Sequence, residues 1–333
     1  MNVKEKSREV LSQFPSVRHA FAYGSKVFAQ AKGPEKDALL DFVFVVDEPS
    51  KWHKENLARN PRHYSCVGRM GGGSAADYVA KRIGAGVYFN VYAEVGNERI
   101  KYGVTATDTI VEDLKYWKSF YMAGRMQKPV QHLVESQRVL RATEHNILAA
   151  TATALLILPE TFSKDMFYRT VVSLSYIGDI RMKFAEDTNK VRNIMLGSAS
   201  ELHQMYNAAI QRFASQKMVY NIEKQQWSQE VHSDARVALL RRLPPGLLSE
   251  LKTIVGYETP LDTLAKEDAL RTARAVVKGG DTSELVMRGL ACMNRRSSRR
   301  QAMAGLLSAG WNGTIAYLGR KVAKSYRSKR SGA

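Results

Sequence analysis

The residues best suited to chemistry come early in the chain. Tyr23-Gly24-Ser25 follows a short apolar run, Val17 to Ala22, and Asp41 stands inside a second one, Ala38 to Val46. Both runs read as strands. Gly24 has no Cβ, so its backbone can approach a bulky anion closely. Ser25 adds a hydroxyl and an amide where a helix could begin, and helix N-termini favour phosphate. A carboxylate on the next strand is then a candidate holder of Mg²⁺ against those phosphates. A bare Gly-Ser followed by an Asp also suits a tight turn and an edge carboxylate, so the rest of the chain must decide.

The elements around these residues can be read in order. In the second strand Asp41, Val43, Val45 and Asp47 point one way and Phe42, Phe44 and Val46 the other. Position 43, two residues on and on the face of Asp41, is Val, so a second metal-holding acid is not found there. Asp47 shares the face of Asp41 about 20 Å further along an extended strand. It is either a metal ligand reached through a bulge or a cap for the next helix, which carries Pro49 near its first turn. Lys26 to Gln30 is predicted as a brief helix and Lys32-Gly33-Pro34 as a loop. A helix from Pro49 to Ala58 stops at Asn60-Pro61, with Trp52 and Leu57 facing the core and His53 and His63 in structural or phosphate-contacting places. Gly71-Gly72-Gly73-Ser74 lacks the Lys-Ser/Thr of a P-loop and is predicted as a flexible turn.

Two more strands, Gly86 to Tyr92 and Ile100 to Thr105, form a hairpin. Asn90 lies on the first and Lys101 on the second. A lysine inside an apolar strand must bring its ammonium to water or to an anion, and Tyr102 and Gly103 would complete that wall. Glu94 and Asp108 are further candidates for a second carboxylate. From Thr109 the period becomes helical: Ile110, Leu114, Trp117 and Tyr121 form a stripe, Asp113 and Lys118 lie off it, and Arg125 and Lys128 close the segment with cations. Beyond Pro129 strands nearly vanish, and helices are predicted at 130–158, 163–186, 199–216, 234–242 and 261–277. Asp179, Arg181, Glu186, Asp187 and Lys190 read as salt-bridged structure around a helix end.

Composition narrows the class of protein. The chain has 333 residues, 44% of them apolar and 25% charged, which excludes wholesale disorder and allows two domains. Cys66 and Cys292 make neither a zinc site nor a disulfide framework and fit a reducing compartment. No apolar run reaches the roughly 20 residues of a membrane span; Ile147 to Leu158 reads as a buried helix stopped by Pro159. The net charge of +18 points to a polyanion: nucleic acid, a nucleoside triphosphate or an anionic membrane surface. Residues 1–16 read as a short helix in which Glu5 and Glu9 depart from an Arg-rich, acid-poor presequence. Near the C-terminus Trp311, Ile315, Leu318 and Val322 share a helical face, with Arg320, Lys321, Lys324, Arg327, Lys329 and Arg330 around the rest. That is the pattern of a helix lying on an anionic bilayer, and also of a partner-docking helix.

The string DFVFVVDEPSKWHKENLARNPRHYS (41–65) resembles the signature of the mitochondrial-type phosphatidate cytidylyltransferases, the peripheral CDP-diacylglycerol synthases. The resemblance continues through GAGVYFN (84–90), IKYGV (100–104), TDTIVEDLKYWKSFYMAGRMQKPV (107–130), LSYIGDIRM (174–182), EDTNKVRNI (186–194) and RRSSRRQAMAGLLSAG (295–310). It implies an α/β chain with a nucleotidyltransferase, polymerase-beta-like domain over 1–128. A mostly helical, winged-helix-like module would follow over 129–245, then a C-terminal region over 246–333 with a basic, membrane-docking helix. The implied reaction is CTP plus phosphatidate giving CDP-diacylglycerol and pyrophosphate with Mg²⁺, on the matrix face of the mitochondrial inner membrane and leading to cardiolipin and phosphatidylglycerol. On that reading Tyr23, Gly24, Ser25, Asn90 and Tyr102 line the nucleotide site. Asp41 and Lys101 are catalytic, and Asp41 with Asp47 holds the metal. Two alternatives are a nucleotidyltransferase on nucleic-acid ends, which lacks the expected interleaving of aromatic and basic residues, and a non-catalytic assembly factor, which the Val at 43 would suit.

Overall fold

A computed structural model describes residues 3–28, 39–96, 98–180, 189–258 and 265–330, with side chains described only as far as Ser308 and not at a few single positions before it. A five-stranded sheet forms the first half. Its strands are β1 (His19–Tyr23), β2 (Leu40–Val46), β3 (Tyr88–Val95), β4 (Glu98–Ala106) and β5 (Gln131–Val134), in the order β3-β4-β2-β1-β5. β2 runs parallel to β4, and the other neighbours are antiparallel. The register sets Tyr23 opposite Asp41 and Asp41 opposite Lys101.

The alternation of β2 becomes two cores. Phe42, Phe44 and Val46 pack with Val10 of α1 (Val3–Ser12), with Phe14 and with Trp52 of α2 (Pro49–Arg59). Val43 and Val45 face the other way, toward α4 (Thr107–Tyr116), α5 (Tyr121–Met126) and α6 (Gln137–Ile157), through Ile110, Leu114, Met122 and Val139. Both faces are covered because the apolar positions fall on both sides of the strand.

Several expectations are corrected here. The Gly71–Ser74 run is no turn: it lies within α3 (Cys66–Tyr78), kinked at Gly72. Gly73 has a packing reason, since a Cβ there would stand 1.9 Å from the carbonyl oxygen of Ser50, so only glycine lets α3 approach α2 this closely. After Gly24 the described residues form a turn rather than a helix; Gln30 and the predicted 32–34 loop lie outside them. The predicted 130–158 helix divides into β5 and α6, so the first sheet takes a strand from beyond residue 128.

Three more strands occur in the second half: β6 (Thr161–Ser163), β7 (Met218–Asn221) and β8 (Gln226–Gln229), in the antiparallel order β6-β8-β7. Between β6 and β7 come α7 (Lys164–Ser173), α8 (Lys190–Gly197) and α9 (Ala199–Lys217); α10 (Ser233–Leu240), α11 (Pro245–Val255), α12 (Ala265–Lys278) and α13 (Thr282–Arg330) follow. Their apolar faces share one core with the buried C-terminal half of α6. Of the charged block expected at 179–190, Asp179 is buried, while Arg181, Glu186 and Asp187 lie outside the described residues.

α13 returns to the first half. The Gln301 side chain accepts from Ala85 N at 3.1 Å and donates to Val87 O at 3.2 Å, just before β3. Arg300 donates to the carbonyls of Lys81, Arg82 and Ile83. The helix backbone continues to Arg330, but the apolar face expected from Trp311 onward involves side chains outside those described.

Candidate active site

The turn after β1 and the first residues of β2 meet, as the order of the two strands suggests, across the long stretch between Ser25 and Asp41. Gly24 has a φ of +94°, a conformation glycine adopts without a Cβ penalty. A Cβ at Gly24 would lie 3.0 Å from Asp41 Oδ2, so the missing side chain keeps the carboxylate and the Gly24-Ser25 backbone side by side. Lys101 reaches across from β4, its Nζ 3.7 Å from Asp41 Oδ1 and 4.6 Å from the centre of the Phe89 ring. Both charged side chains remain partly open to solvent, 25% for Asp41 and 21% for Lys101. The result is a partly open candidate cleft that sets one carboxylate and one ammonium beside a glycine turn.

The register divides the sequence-predicted residues into two groups. Tyr23, Gly24, Ser25, Asp41 and Lys101 come together. Asn90 and Tyr102 do not join them: Asn90 pairs with Tyr102 across β3 and β4, one residue out of phase with Lys101, and both are buried on the opposite face. There the Tyr102 hydroxyl accepts from Asn56 Nδ2 at 2.9 Å and lies 3.2 Å from His63 Nδ1, while Asn56 Nδ2 also donates to Tyr64, which lies 2.8 Å from His53 Nδ1. Burial raises the phenols of Tyr64 and Tyr102 and lowers the imidazoles of His53 and His63. This cluster is a neutral buried network that fixes α2 to the sheet, and neither histidine reaches the Asp41 side.

Asp47 is also placed elsewhere. It sits just past the far end of β2, where its carboxylate accepts from Arg18 Nε at 2.6 Å and Thr107 Oγ1 at 2.9 Å. Those bonds hold its carboxyl below the usual range. It is neither a companion of Asp41 on one ion nor a helix cap, since α2 begins after Glu48 without a side-chain cap. Glu94 and Asp108 are exposed and pair with Arg99 and Arg138. Among the described residues no group of three or more acid, histidine or cysteine side chains is set to hold a metal. A magnesium site built on Asp41 still fits, because Mg²⁺ is commonly held by one or two carboxylates with substrate phosphates and water completing its shell.

One residue at the cleft was not singled out by sequence reasoning. Arg125, on α5, lies with its guanidinium carbon 4.8 Å from the centre of the Tyr23 ring, and it interacts electrostatically with Asp41, Tyr121 and Tyr176. Burial lowers its pKa from the ordinary value. Lys128, which also reads as a helix-end cation, is buried; it donates to Gly124 O at 2.6 Å and to Ser175 Oγ, and stands over the Tyr176 ring. The signal was the neighbourhood: Met122-Ala123-Gly124 and Met126 flank Arg125 with small and apolar residues.

The position of α5 is fixed by Asp113, 3% exposed, which the helical stripe had left on the outside. Its Oδ1 accepts from Ser119 N, Ser119 Oγ and Phe120 N, and its Oδ2 from Met122 N and Ala123 N, all between 2.7 and 3.0 Å. The carboxylate thus takes up the free amides at the start of α5. The corner it braces includes two non-glycine residues with positive φ, Trp117 (51°) and Phe120 (60°).

The sequence matches the family described as phosphatidate cytidylyltransferase, mitochondrial, over residues 7–324. The chain belongs to that family. It is 34% identical over 329 residues to the mitochondrial phosphatidate cytidylyltransferase of Danio rerio, covering 97% of this chain and 95% of the relative. It is 36% identical over 327 residues to that of Bos taurus, covering 96% and 94%. To that of Schizosaccharomyces pombe it is 32% identical over 338 residues, covering 98% and 85%. The family's activity makes this chain an enzyme, a transferase of CDP-diacylglycerol synthesis, and the non-catalytic alternative falls. No described helix is long and apolar enough to cross a membrane.

Proposed function

We propose that the cleft between the Gly24 turn, Asp41, Lys101 and Arg125 is where CMP passes from CTP to phosphatidate. The observation that carries this reading is the meeting of Gly24, Asp41 and Lys101 in one register, with the two side chains partly open to solvent. The phosphate of phosphatidate is already ionised at neutral pH, so the chain needs no strong general base. Its oxygen attacks the α-phosphorus of CTP, the bond from that phosphorus to the bridging oxygen breaks, and pyrophosphate leaves. The protein's share is to align the phosphates and neutralise their charge.

The Gly24-Ser25 backbone lets the triphosphate approach, beside the Tyr23 ring. Lys101 neutralises a transferring or attacking phosphate, held in place by the Phe89 ring and the pull of Asp41. Asp41 would hold Mg²⁺ with substrate phosphates and water, and the ion would supply further charge neutralisation on the triphosphate. Tyr102 and Asn90 act behind the sheet, by keeping β4 and β3 in register.

The five-stranded sheet suits a polymerase-beta-like nucleotidyltransferase fold, with its unit extending past 128 to include β5. The strand and helix order from β6 to β8 suits a winged-helix-like module to about 245. The remainder, 246–333, would bring the enzyme to an anionic membrane through the basic stretch after Ser308, at the matrix face of the mitochondrial inner membrane, where the product would feed cardiolipin and phosphatidylglycerol. The test is transfer of radiolabel from CTP to the organic phase with phosphatidate in mixed micelles and Mg²⁺, against ATP, GTP and UTP. Label should move with CTP alone and be lost in Asp41→Asn with the melting transition preserved. An Asp41→Asn enzyme at the wild-type rate would overturn the metal assignment.

A further inference from the structure

Arg125 has more donors than the protein uses. Its Nε is buried without a hydrogen-bond partner among the described residues, and Nη2 donates to the Pro129 carbonyl at 3.2 Å. No ion pair to an acidic side chain is made by it among the described residues. Instead the guanidinium lies over the ring of Tyr23, the residue before Gly24-Ser25. A half-buried cation whose Nε is shut off from water and from any acceptor is costly, and aromatic faces offset only part of that cost. A methionine would fill most of the apolar part of that space at no such cost. Lys128, by contrast, spends bonds on Gly124 O and Ser175 Oγ and works as a strut between α5 and the turn after α7.

We infer that Arg125 is a phosphate-binding residue of the reaction, its free guanidinium edge taking a phosphoryl oxygen of a substrate. This rests on the cleft assignment above. A planar guanidinium matches two phosphate oxygens at once, which an ammonium on a flexible stem does not. The strained corner at Trp117 and Phe120, braced by Asp113, fits the same role, because it fixes the helix that presents Arg125. The phosphate could belong to CTP or to phosphatidate, since both carry the same oxygen chemistry.

The test uses Arg125→Met and Arg125→Lys in the full chain, with three readouts: melting temperature, CTP affinity by calorimetry with Mg²⁺, and KM for phosphatidate in mixed micelles. Arg125→Met should melt at or above the wild-type temperature, because it removes a half-buried charge with an unpartnered Nε. In both variants one ligand constant should weaken at least tenfold. A weakened CTP Kd assigns the triphosphate; an unchanged CTP Kd with a raised phosphatidate KM assigns the acceptor phosphate. Constants within twofold of wild type in both variants would overturn the inference, as would unfolding of both, which would make Arg125 a structural residue. Wild-type protein that neither binds CTP nor labels lipid would instead overturn the cleft assignment.

Discussion

Replacing Asp113 with Asn isolates the brace beneath the cleft. The side chain keeps its shape, but one carboxylate oxygen becomes an NH₂ group, which cannot accept. Asp113 receives four backbone amides and one hydroxyl, arranged with two amides on each oxygen and the hydroxyl on Oδ1. Whichever way the amide turns, two backbone N–H donors lose their acceptor and face other donors. Each hydrogen bond to a charged group contributes about 1.5–3 kcal/mol, so the pair amounts to about 3–6 kcal/mol. For a chain of this size that lowers the melting temperature by on the order of 10 °C. Differential scanning calorimetry of Asp113→Asn beside Glu112→Gln measures it directly. Glu112 is an exposed neighbour paired with Lys118, and its loss should change little. Turnover of Asp113→Asn should fall even well below its melting temperature, because α5 carries Arg125 into the cleft. A melting temperature within about 2 °C of wild type would refute the reasoning.

Acid should loosen the first half through its buried imidazoles. Burial, helped by His132, lowers His19 to about 4, and burial lowers His53 to about 3, whereas unfolded imidazoles titrate near 6.5. The unfolded chain therefore takes up protons first. The stabilisation is complete above pH 6.5 and is lost as pH falls from there toward 4, His19 alone accounting for about 3 kcal/mol; urea midpoints equal at pH 7.5 and pH 5 would contradict this. Gly24→Ala should slow turnover at least tenfold, because the new methyl meets Asp41 Oδ2 in a backbone conformation L side chains rarely adopt; kinetics with CTP and phosphatidate decide it, and an unchanged kcat/KM removes Gly24 from the site. Ending the chain after Ser308 should leave the melting temperature nearly intact while weakening co-sedimentation with acidic liposomes. Unchanged co-sedimentation would place membrane docking elsewhere.

What was legible in the sequence follows from the range of each interaction. β1, β2, the β3–β4 hairpin and α2 are announced by local alternation and stop signals, and the Gly24–Asp41 contact comes with the antiparallel pairing of two consecutive strands. The pairing of Asp41 with Lys101 depends on a parallel register between strands about 60 residues apart, which no local pattern states. Tyr102 follows Lys101 directly, so alternation alone sets it on the other face, and only the face of Asn90 needed the β3–β4 register. β5 to β8 have three or four residues each, too short to show a period. The glycine run became helix because α2 packs against it, a tertiary decision. Asp113 was placed off the apolar stripe and Arg125 at a helix end because helical spacing shows which residues share a face but not what later covers it.

α13 gives the molecule an order of assembly. Arg300 and Gln301 bond to backbone more than 210 positions earlier in the chain. During synthesis, or during passage of an unfolded chain N-terminus first into a compartment, the segment before β3 waits for nearly the entire polypeptide before these groups find their partners. Chains cut short before residue 300 leave the carbonyls of Lys81 to Ile83 without the guanidinium that satisfies them. Such fragments would expose unpaired backbone next to β3, a surface that chaperones and proteases distinguish from the finished enzyme. Arg300 and Gln301 thus make the segment before β3 dependent on a helix that is synthesised last.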